Sequence, residues 1–150
     1  MLTLIDKKND VILKLAIEGY QFPDNDQDNW CYVSLLAAQG AERYKIVHPA
    51  LETHNLIEIL EWFQCLASGH LPHREVLVFI DPCLQFSLRY SDEKIVKIEI
   101  ELAREMEPDF RLQQYGHAVD DWRVLFDLRR EALPTLVAKM KAAIALYPMR

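Results

Sequence analysis

Apolar and polar positions alternate with period two along five stretches of this chain, a pattern that predicts β-strands with one buried face each. Val11, Leu13, Leu15 and Ile17 oppose Ile12, Lys14, Ala16 and Glu18, and this strand ends at Gly19. Cys31, Val33 and Leu35 share a face in a second strand over residues 30–37. Gln39-Gly40 then turns the chain into a hairpin partner over 42–47, which Pro49 breaks. Leu84, Phe86, Leu88 and Tyr90, and after them Val96, Ile98, Ile100 and Leu102, flank the short turn Ser91-Asp92-Glu93 and make the clearest hairpin. Trp122, Val124, Phe126 and Leu128 alternate in a last strand. Residues 76–80 are a continuous apolar run, read as a strand that Asp81-Pro82 stops.

Two stretches carry the helical period instead. Leu56, Leu60, Phe63 and Ala67, widened by Ile57, Ile59 and Leu66, predict a helix over 53–68 with Thr53 as N-cap and Gly69 as the stop. The second helix has Pro134 in its first turn and a stripe of Leu133, Leu136/Val137, Met140, Ala143/Ile144 and Tyr147, with Pro148 ending it. Residues 104–119 hold no sustained period, and a loop that long inside a compact domain is often functional. The order is three strands, a helix, three strands, a long loop, a strand and a helix. Half-polar strands with short connections point to an α+β fold: a mostly antiparallel sheet of about seven strands with two helices packed on one face. The whole of 1–150 reads as one domain.

Composition narrows the function classes. A formal net charge of −6 opposes direct nucleic-acid binding, which needs a basic face. Three cysteines without regular spacing are no disulfide framework and suit a reducing cytoplasm. No apolar run approaches the ~18 residues of a membrane span, and the first residues offer no signal-peptide core.

Candidate chemistry is sparse. Asp24-Asn25-Asp26-Gln27-Asp28 resembles the opening of a calcium loop, but Asn29 stands where that loop needs Gly and Leu35 where it needs Glu. A solvated turn explains it better. His70 and His73 near Cys65 lack a second ligand pair, so no metal or cofactor is expected. No serine lies in a nucleophile elbow and no glycine-rich phosphate loop exists, so no catalytic residue is assigned.

Gly19-Tyr20-Gln21-Phe22-Pro23, followed by Asn29-Trp30, resembles the WapI family of bacterial immunity proteins. Glu61-Trp62 with Ser68-Gly69, the turn Asp81-Pro82-Cys83-Leu84-Gln85-Phe86, the Glu-rich segment 99–105 and Tyr147-Pro148-Met149-Arg150 agree in order and spacing. The resemblance implies a cytoplasmic, non-enzymatic protein that neutralises the C-terminal toxin domain of a large surface or secreted protein, a tRNA-cleaving nuclease in the founding system. Such a toxin would be basic, and an acidic inhibitor suits it through charge steering. The alternative is a small ligand-binding domain or enzyme with a pocket between helix and sheet. Oligomeric state does not follow from the sequence.

Two acidic groups in irregular segments are the candidate toxin-binding residues: Asp24, Asp26 and Asp28 in the first loop, and Glu105, Glu107 and Asp109 in the second. Phe110 and Tyr115 supply apolar anchors for the second group. Tyr20, Phe22, Pro23 and Trp30 are expected to be architectural, pinning the crossing between two strands.

Overall fold

The computed structural model describes residues 1–150. Its elements run β1 (Leu2–Asp6), β2 (Val11–Tyr20), β3 (Trp30–Gln39), β4 (Glu42–Glu52), α1 (Thr53–Ala67), β5 (Val76–Leu77), β6 (Leu84–Ser91), β7 (Ile95–Leu102), β8 (Gln113–Gln114), β9 (His117–Ala118), β10 (Trp122–Arg129) and α2 (Leu133–Ile144). Every strand pairing is antiparallel. β1 to β4 form sheet A in chain order, β10-β7-β6-β5 form sheet B, and β8 and β9 make a separate small hairpin. The α+β class follows the patterning, while the strands number ten and divide between two main sheets.

The alternation seen in the sequence explains how the sheets close on a core. Val11, Leu13 and Leu15 of β2, Val96, Ile98, Ile100 and Leu102 of β7, and Trp122, Val124 and Phe126 of β10 are all buried. With the apolar stripes of α1 and α2 they belong to one connected cluster of 33 buried residues. β1 and β10, outer strands of their sheets, lie side by side, and α1 packs on α2. Phe86 of β6 meets Trp62 and Phe63 of α1 and Phe79, with ring centroids 6.1, 6.1 and 6.3 Å away. These aromatic rings fill the space between α1 and sheet B.

Several local expectations need correction. Pro49 does not end its strand: β4 continues to Glu52, because it is an outer strand and Pro49 lies where the register slips between Cys31 and Val33. A bulge on an edge strand is a position where a missing N–H is tolerated. The N-cap of α1 is Glu52 rather than Thr53, and the Asn55 side chain accepts the Glu52 N–H at 2.9 Å. Only Val76–Leu77 of the apolar run pairs in a sheet; Val78 and Ile80 are exposed, Ile80 by 75%. β1 was hidden because five residues give too short an alternation. Segment 104–119 is not a plain loop. Met106 and Leu112 are buried, and β8 and β9 turn through Tyr115 and Gly116, both at positive φ.

Candidate functional site

The first acidic group sits on a loop that the far end of the chain locks in place. Gly19 takes φ +147 in a bulge of β2, a conformation strained for any L side chain, and the strand then carries Tyr20 toward the C-terminal residues. The Tyr20 hydroxyl donates to the Pro148 carbonyl and its ring packs edge-on against Tyr147. Arg150 lies 3.9 Å from the Tyr20 ring centroid. Its guanidinium donates to the carbonyls of Pro23 at 2.9 Å, Phe22 at 3.1 Å and Asp28. Asn29 closes the clamp, its Oδ1 accepting the Arg150 N–H at 2.9 Å. The two ends of the resembling motif therefore meet in space although about 120 residues separate them.

Inside the loop, side chains are spent on backbone. Asn25 Oδ1 accepts the Gln27 N–H and Asp28 Oδ1 accepts the Trp30 N–H, which is Asx-turn chemistry. Asp28 is thus half-buried and structural, while Asp24 and Asp26 are exposed, with the Asp26 Oδ1 at 3.9 Å from Arg150 Nη1. Tyr20 and Trp30 are half-buried, as an architectural role requires. Phe22 and Pro23 are not: both are exposed, Phe22 by 50%. The Phe22 carbonyl is held by Arg150 while its phenyl ring faces solvent, two residues before exposed Asp24.

The second group lies along β4 and near the turn between β1 and β2. Glu105 and Asp109 are exposed, and the Glu105 carbonyl accepts the Tyr44 hydroxyl at 2.7 Å. Burial, and after it the Asp109 and Glu105 carboxylates, hold the Tyr44 phenol above its ordinary range. Glu107 is exposed as well. Phe110 is half-buried, edge-on to Trp122 at 5.5 Å, and its carbonyl accepts the Trp122 indole N–H. Tyr115 is 77% exposed at the hairpin tip, where Asn9 Oδ1 accepts its N–H. Gln39, at the end of β3, also holds this hairpin through its bonds to Gln113. The first loop adjoins the start of β3 and the Tyr115 hairpin its other end, roughly 30 Å along a ten-residue strand, with Glu105 between them beside His48, which pairs with Val33. They do not form one patch.

One cluster has no counterpart in the sequence reading. His48 Nε2 is 2.8 Å from Asp81 Oδ2 and 3.8 Å from Glu105 Oε2, and the buried Cys83 adjoins them. Spacing of 33 and 35 positions gives no motif, so nothing along the chain signals it.

Cys31 is fully buried at the loop's base, where burial pushes its thiol up from 9.0 to about 11. Unfolding exposes this thiol and restores its lower value, so the Cys31 contribution to stability is full below about 9 and fades as pH rises through about 11. We expect iodoacetamide at pH 8 to label only half-buried Cys65 in the folded protein, with Cys31 and Cys83 reacting after denaturation. Peptide mass mapping reads the sites; labelling of Cys31 without denaturant would show that the loop opens.

The surface clefts differ in lining: one of about 470 Å³ on sheet A is walled mostly by apolar groups, Ala16, Leu36 and Val47 among them. Another of about 550 Å³ runs between the β1–β2 turn and the outer face of sheet B, with Lys8, Glu99, Arg123 and Asp127 in its walls and Tyr115 at its rim. No helix is long and apolar enough to cross a membrane. No curated protein and no solved structure matches the chain. A family model does: the immunity protein WapI-like family, over residues 3–148. Since that match takes in both sheets, both helices and the loop clamped by Arg150, this chain belongs to the WapI-like immunity proteins.

Proposed function

We propose that this chain protects a bacterial cell by binding the C-terminal toxin domain of a large surface or secreted protein, a nuclease, in the cytoplasm. It acts by stoichiometric occlusion and without catalysis of its own. Membership of an immunity-protein family across nearly the whole chain carries this reading. Net charge supports it: a nuclease is basic where it meets phosphates, and a chain of charge −6 is drawn to such a surface. The alternative of a ligand pocket between helix and sheet finds no support at α1 and sheet B, where Trp62, Phe63 and Phe86 occupy the space.

Of the two acidic groups, the first loop is the better docking surface. Phe22 offers an exposed aromatic anchor, Asp24 and Asp26 follow it in the same loop with unpaired or weakly paired carboxylates, and the clamp makes the whole loop rigid before any partner arrives. Glu105, Glu107, Asp109, Phe110 and Tyr115 form the second candidate, with Phe110 committed to Trp122.

Co-expression with the toxin domain, scored for growth, tests the function; failure to rescue growth or to form a 1:1 complex would end it. The surface is tested by association kinetics. Asp24→Lys with Asp26→Lys should slow association about tenfold at low salt, with the gap closing as salt is raised. Asp28 is left alone because its carboxylate and carbonyl hold the loop. If Glu105→Lys with Glu107→Lys carries the loss instead, the interface lies along the β4 edge of sheet A.

A further inference from the structure

We propose that His48, Asp81 and Cys83 form a binding site for a single zinc ion, with the fourth position open to water beside Glu105. The imidazole, carboxylate and thiol donor atoms all lie within 4.8 Å of one another. Glu105 Oε2 is 3.8 Å from His48 Nε2 and belongs to a largely exposed side chain, which leaves a path from solvent. Cys83 is fully buried, while His48 and Asp81 are mostly shielded. The three ligands come from β4 at the edge of sheet A and from the connection leading into β6 of sheet B, with Glu105 of the segment after β7 beside them.

The donor set selects the ion. One sulfur, one nitrogen and carboxylate oxygen match a borderline-soft divalent metal, whereas calcium and magnesium take oxygen alone. Tetrahedral zinc places its donors about 3.3–3.6 Å apart. The His48–Asp81 contact at 2.8 Å is a hydrogen bond, so the ion would take the place of the shared proton and part the two side chains by roughly half an ångström. The neutral imidazole then carries its proton on Nδ1, so the one proton lost to water as the metal binds is that of the Cys83 thiol.

Position gives the site its consequence. β1 and β10 bring the two sheets together along one side, but β4 and β5 are the outer strands on the other and do not pair. The cluster bridges this unpaired side. A metal there ties sheet A to sheet B, independently of any toxin.

The test is titration of the tag-free, metal-stripped protein with Co(II), read by absorption. We expect a 1:1 endpoint, a thiolate-to-cobalt charge-transfer band in the near ultraviolet and visible bands of tetrahedral intensity, all displaced by zinc. Cys83→Ser should lose the charge-transfer band, and His48→Gln and Asp81→Asn should each weaken binding by about tenfold or more. Zinc should raise the thermal midpoint of the unsubstituted protein by more than that of any of the three variants. Absence of the charge-transfer band at saturating cobalt overturns the site, as does its survival in Cys83→Ser, which would assign it to Cys31 or Cys65. If Cys83→Ser does not fold, the other two variants decide: unchanged affinity in both overturns the proposal.

Discussion

Replacing Phe86 with alanine should lower the free energy of unfolding by about 3–5 kcal/mol, a large part of what holds an ordinary domain together. Phe86 is fully buried in β6, opposite Leu77 of β5 and Ile100 of β7. Its ring is the common neighbour of Trp62, Phe63 and Phe79. Rigid rings around the vacated volume cannot close over it as flexible side chains would, so the cavity term adds to the lost transfer energy. Urea unfolding followed by circular dichroism measures the loss directly. A value below about 1 kcal/mol would mean that α1 settles into the space and that the aromatic cluster is not the keystone of sheet B.

Arg150→Ala should act on one loop and spare the core. Its guanidinium serves three carbonyls and stacks on Tyr20, and these contacts together hold the loop closed by about 2 kcal/mol. Amide exchange should therefore quicken at Asn25 and Asp28, whose N–H groups are bonded within the loop to the Phe22 and Asn25 carbonyls, while β7 and β10 exchange as before. A partner that meets Phe22 and Asp26 must then order the loop itself, and its dissociation should quicken about tenfold. Arg150→Lys should recover little, because a point charge cannot replace a planar fork reaching three acceptors. Unchanged exchange at Asn25 and Asp28 would show that the Asx turns alone maintain the loop.

The strands with long, clean alternation were readable from the chain: Val96, Ile98, Ile100 and Leu102 are all buried, and so are Val11, Leu13 and Leu15. So were both helices, although Ile57 of the first stripe is exposed and α2 stops at Ile144, short of Tyr147 and Pro148. What escaped has a physical cause in each case. β1 is five residues long, and β8 and β9 two each, so none spans enough periods to announce itself. Pro49 is a strand breaker only where its N–H would be needed, and an outer strand at a bulge does not need it. Division into two sheets depends on which strands pair, information that alternation does not carry. At the candidate site, the irregular acidic segments could be located, but Arg150 as the clamp could not, since its partners are fixed by tertiary contact. Phe22 looked architectural because aromatic character suggests burial, whereas its phenyl ring faces solvent.

Because the first loop adjoins the start of β3 and the Tyr115 hairpin is held at its other end by Gln39, changes at one are energetically independent of changes at the other. Sheet A works as a spacer between two separately adjustable termini. A lineage can rewrite residues near Tyr115 to meet a new antagonist while the Arg150-bound loop keeps its existing shape, or the reverse. Recognition can thus drift one end at a time, with neither step passing through an ancestor that has lost its fold.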